Sequence, residues 1–127
     1  MFCKKTNLPK IAFIRGNKYT YTPTLTYNEQ PLETLGENQF LLFIVKSYAG
    51  NTYLSKTLTG TADGTPIVFE FLPTDTIGLE SHKYLYSIDM YSDKYEEDFV
   101  TVEHGDFCLL PAIGTINDIE TEQNGGD

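Results

Sequence analysis

The chain has 127 residues, enough for one domain around a single core and too few for two. It is 40% apolar and 13% aromatic with no tryptophan, which excludes wholesale disorder. Eighteen acidic against nine basic residues give a formal net charge of −9, so neither nucleic acid nor an anionic membrane surface is expected as a partner.

Residues 1–9 (MFCKKTNLP) carry charge but no apolar core; they read as an arm, and no secretory signal is expected. A first strand, 11–15 (IAFIR), stops at the turn pair Gly16-Asn17. Residues 18–27 (KYTYTPTLTY) alternate with period two, with Tyr19, Tyr21, Pro23, Leu25 and Tyr27 on one face. Pro23 cannot donate to a ladder, which predicts an edge or a bulge there. After a polar loop at 28–38, residues 39–48 (QFLLFIVKSY) form a nearly continuous apolar run, the pattern of a central strand covered on both faces. Residues 52–59 read as a more exposed strand and GTADGT at 60–65 as a hairpin loop. Residues 66–72 form a strand with Ile67, Phe69 and Phe71 on one face. No convincing helix is found; the best candidate, TIGLES at 76–81, is one turn long.

Residues 83–91 alternate again, with Tyr84, Tyr86, Ile88 and Met90 on one face and Leu85, Ser87, Asp89 and Tyr91 on the other. An acidic turn at 92–98 leads to a last strand, 99–110, whose Gly105 predicts a bulge. About seven strands separated by turn chemistry predict an all-β fold, an immunoglobulin-like antiparallel β-sandwich over 10–114. The acidic stretch 115–127 reads as a tail, and arm and tail are expected to order on assembly. In such sandwiches a tyrosine near the start of the sixth strand buries its ring and ties its hydroxyl to upstream backbone. Tyr84 or Tyr86 suits that structural corner. Tyr48, Tyr53, Tyr91 and Tyr95 are left as candidate interface aromatics.

The series IAFIRGNKYTYTPTL, FEFLPTDTIGL, HKYLYSIDM and FVTVEHGDFCLLPAI resembles the immunoglobulin-like N-terminal domain of phage baseplate upper proteins, over about residues 10–113. The residues that carry the likeness are Arg15, Gly16 and Asn17, then Thr74, Thr76 and Leu79, then Tyr84, Tyr86 and Ile88, and last Val102, Gly105 and Phe107. His82 stands where that family usually has glycine, and a short acidic tail stands where the family continues into a helical linker. The resemblance implies a non-enzymatic structural module of a phage or prophage tail or baseplate, acting by protein–protein docking. Its partners would be other tail or baseplate proteins or further copies of itself. Its place would be the virion, or the bacterial cytoplasm before assembly.

Catalytic signatures are missing from the sequence: it has no G-x-S-x-G, H-E-x-x-H, C-x-x-C or phosphate-loop pattern. Glu70, Asp89 and Glu103 read as outward polar positions on strands, and His82 and His104 as strand-boundary residues rather than an acid or base. Asp93, Glu96, Glu97 and Asp98 could form half of a calcium site, but they read better as a solvated turn. Cys3 and Cys108 could meet only if the first and last strands are neighbours; they read as two reduced structural cysteines, too few for a zinc site. No cofactor, metal or small-molecule ligand is expected. The alternative function is a carbohydrate-binding module using exposed tyrosines.

Overall fold

Alternating apolar residues are turned onto one side of a five-stranded sheet in the computed structural model, which describes residues 10–116 and 118–119. In chain order the strands are β1 (Lys10–Ile14), β2 (Tyr19–Tyr21), β3 (Leu25–Tyr27), β4 (Gln30–Leu32), β5 (Thr34–Leu35) and β6 (Gln39–Lys46). There follow β7 (Thr52–Thr59), β8 (Thr65–Pro66), β9 (Phe69–Phe71), β10 (Lys83–Ser92) and β11 (Val100–Leu110). Two single helical turns, α1 (Pro73–Thr76) and α2 (Tyr95–Asp98), interrupt the series. The sheet runs β1-β11-β10-β6-β7, antiparallel throughout except for the parallel β1–β11 edge. The short ladders β2-β9, β3-β4 and β5-β8 complete the strand pairing.

The core forms where the inner face of the sheet meets those ladders. Leu41, Phe43 and Val45 of β6 and Tyr84, Tyr86 and Ile88 of β10 are buried there with Phe107 and Leu109 of β11, together with Leu25, Leu35, Ile67, Phe69 and Phe71. Phe43 is the hub, with ring centroids of Phe69, Phe71 and Tyr86 5.0, 5.2 and 5.2 Å away. Offset and edge-on ring pairs of this kind add to the stabilisation from area burial alone. At Gly60 the backbone lies so close to Gly36 that a Cβ would stand 1.8 Å from its carbonyl oxygen. Only glycine lets the two loops meet.

Several expectations are revised. The ten-residue strand at 18–27 breaks at Thr22–Thr24, around Pro23, into β2 and β3, although the inner face continues through both halves. The polar loop at 28–38 contains the turn and second strand of a hairpin, β3–β4, turned by Asn28 and Glu29 at φ 54° and 66°, and the buried Leu35. The described residues contain eleven strands rather than about seven. Helical structure starts at Pro73, three residues ahead of the candidate turn, because proline suits the first helical position and Asp75 accepts from the Leu72 amide. Strand β11 is continuous through Gly105, which faces Tyr86; the irregularity falls between Thr101 and Glu103. The first and last long strands are neighbours, with Cys108 opposite Ala12. Cys3 lies outside the described residues, as do most of the arm and tail.

Candidate docking face

Strand β6 is apolar on both faces, but only its inner face is covered by the described residues. Outward, Phe40, Leu42 and Ile44 are half-buried. Register places Tyr91 beside Phe40, Asp89 between Leu42 and Thr101, Ser87 between Ile44 and His104, and Leu85 between Lys46 and Asp106. A groove of about 620 Å³ runs along these rows, floored by Leu42, Ile44 and Leu85 and flanked by Tyr48 and Phe99. Tyr48 is 57% and Phe99 54% exposed. Ile14 and Leu110 extend the exposed apolar surface along the β1–β11 edge.

Asp89 is the exception in polarity. Its place in the alternation predicts an outward polar residue, and it does face outward, yet it is 5% exposed. Thr101 Oγ1 donates to its Oδ1 at 2.6 Å and Ser87 Oγ to its Oδ2 at 3.0 Å. Among the described residues no basic group pairs with it.

The four interface tyrosines do not share one surface. Tyr48 sits on the groove, with its hydroxyl 3.5 Å from Asp106 Oδ1. Tyr53, 44% exposed, packs edge-on against Tyr84 at 5.4 Å. Tyr95 is exposed on α2. Tyr91, expected as an exposed contact, is half-buried instead, because its ring is stacked between Phe40 (5.2 Å) and Phe99 (6.4 Å). Leu85 and Phe99 were not singled out from the sequence. Leu85 could have been, since alternation puts this leucine on the outward face of β10, opposite the face of Tyr84 and Tyr86.

Tyr84 and Tyr86 are both buried. The Tyr84 hydroxyl donates to the Glu80 carbonyl, four residues upstream, at 2.9 Å. Burial, and then the nearby Glu80 and Tyr53, raise its pKa. Tyr86 and Tyr21 both donate to Glu103 Oε2, Tyr86 at 2.6 Å. Glu103 therefore faces inward, contrary to expectation: polar ring termini inside the fold need an acceptor, and this carboxylate supplies it. Burial and the bond to Glu103 push the Tyr21 hydroxyl up to about 12, and burial pushes Tyr86 up further. Glu70 is outward and exposed, 3.9 Å from Lys18.

Two of the segments that carry the family resemblance meet in space. Arg15 donates to the Ile77 carbonyl, and the Gly16 amide donates to the buried Thr76 hydroxyl at 2.7 Å. Gly16 has φ +79°, and a Cβ there would lie 2.8 Å from Ile77 Cδ1. The Arg-Gly turn is thus an internal clasp on the 73–79 segment. In the acidic turn Asp98 folds back to accept from Ser92, while Glu96 and Glu97 point to solvent. No cluster of three metal-ligating side chains occurs among the described residues. The chain matches no protein-family model, no curated protein and no solved structure.

Proposed function

We propose that this chain is an immunoglobulin-like docking module, without a catalytic role, of a phage or prophage tail or baseplate, and that it docks through the outer face of its large sheet. The observation that carries the docking is β6, whose sequence is apolar on both faces while one face is covered. Half-buried Phe40, Leu42 and Ile44, extended by exposed Leu85, Phe99 and Tyr48, form a surface patch of the kind that marks interaction sites. The Tyr84–Glu80 bond and the antiparallel β11-β10-β6 core of the sheet support the immunoglobulin-like reading. The tail assignment is supported by the Arg15-Gly16 and Thr74–Leu79 motifs, which have a structural reason to occur together. On this reading the partners are other tail proteins or further copies of the chain, in the virion or in the cytoplasm before assembly.

The test combines gene neighbourhood with reconstitution. Purified chain mixed with the tail proteins encoded beside it is expected to co-elute in a fixed stoichiometry. Leu85→Glu is expected to abolish that complex without lowering Tm. Unrelated metabolic neighbours, or a Leu85→Glu chain that co-elutes unchanged, overturns the proposal.

A further inference from the structure

Resting on that docking reading, we infer that the groove takes one arginine side chain from an apolar segment of a different protein, its guanidinium meeting Asp89. Asp89 is more than nine-tenths buried, and among the described residues only the hydroxyls of Ser87 and Thr101 bond to it. A carboxylate accepts about four hydrogen bonds, so each oxygen keeps a free lone pair. Leaving a buried carboxylate without a cation is unfavourable, and a partner that supplies one removes that cost. A guanidinium matches both oxygens at once and stacks on aromatic faces. Phe99, which lines the groove with Asp89, offers such a face.

The rest of the groove narrows the choice to one cation flanked by apolar groups. Its floor is Leu42, Ile44 and Leu85, and Lys46 stands two rows from Asp89 on the same face, where it repels a second positive charge. The net charge of −9 draws a basic partner and opposes a second copy of the chain. A second copy also lacks the required group. Arg15 is the single arginine in the sequence, and it is tied to the Ile77 carbonyl.

The probe is a random dodecapeptide display library selected against the full-length chain, followed by titration calorimetry on the synthesised winners. The expected winners carry one arginine among apolar residues. Replacing that arginine by citrulline, its neutral isostere, should weaken binding on the order of 30-fold or more. Asp89→Asn should weaken the arginine peptide by a similar factor and leave the citrulline peptide unchanged, whereas Tyr53→Ala, off the groove, should change neither. If Asp89→Asn does not fold, the arginine–citrulline pair decides alone. Winners indifferent to citrulline, but lost on Leu85→Glu, overturn the arginine assignment and leave the docking reading standing. Winners indifferent to Leu85→Glu overturn both. A dimer in sedimentation that Leu85→Glu dissolves would give the face to a second copy, and binding that appears only after Lys4→Gln and Lys5→Gln would give it to the chain's own first residues; each overturns the inference.

Discussion

Tyr84 and Tyr86 stand two positions apart on the same face of β10, yet their hydroxyls have different tasks. Tyr84 donates to a backbone carbonyl of the exposed Glu80, which water can also serve. Tyr84→Phe should therefore cost about 1 kcal/mol, read as a fall in Tm of about 4 °C. Tyr86 donates to a carboxylate inside the fold, so Tyr86→Phe should cost more, about 2 kcal/mol. An equal cost for the two would mean that the Glu103 cluster contributes nothing beyond an ordinary bond. The same cluster sets a response to alkali. Tyr21 titrates near 12 and Tyr86 higher, against 10 when exposed. Between those values the unfolded chain releases protons that the folded chain retains. Stability is thus fully present below pH 10 and is lost as pH rises from 10 through about 12. Urea midpoints measured from pH 8 to 12 should fall over that window, and the fall should shrink in Tyr86→Phe. A midpoint that is flat to pH 12 would contradict the assignment.

At the scale of elements, the hairpin β3–β4 shows where local sequence and backbone disagree. Its turn puts Asn28 and Glu29 at positive φ, a conformation that costs an ordinary L-residue about 1 kcal/mol or more and that Asn-Gly adopts freely. Glu29→Gly should raise stability by about 0.5 kcal/mol, the relief of strain outweighing the added freedom of the unfolded chain; a lower thermal midpoint would refute this. The Asn-Glu pair is also why the hairpin was not legible: it lacks the glycine that marks such turns, and Leu35 alone cannot announce a buried strand. Strands β9 and β10 were legible because period-two alternation survives in them without interruption, and β6 because its apolar run is nearly continuous. In β11 the phase was readable but overridden. Counting back from Phe107 through Gly105 puts Glu103 inside, and its charge argued the opposite until the tyrosine hydroxyls supplied partners. Asp89 illustrates the converse. Its outward direction was legible, while its bond from Thr101 depends on the register of β11 beside β10, which sequence spacing does not reveal.

At the scale of the molecule, the two faces of β6 provide a measure of what the isolated chain leaves unfinished. Leu41 and Leu42 are the same residue at adjacent positions, one fully buried against the aromatic core and the other half-buried on the groove floor. Truncating Leu41 empties packed volume, and Leu41→Ala should cost about 3 kcal/mol. Truncating Leu42 removes contacts from one side only and leaves a site that water already reaches. Leu42→Ala should cost about 1 kcal/mol or less in the free chain. If the outer face is a docking surface, the missing part of that cost reappears in the complex, where Leu42→Ala should weaken association while barely moving the free chain's Tm. Equal costs in the free chain would mean that the chain itself already covers both faces, through residues outside the described part. The measurement needs only urea unfolding of two variants. It separates a sheet finished by its own chain from one finished by a partner.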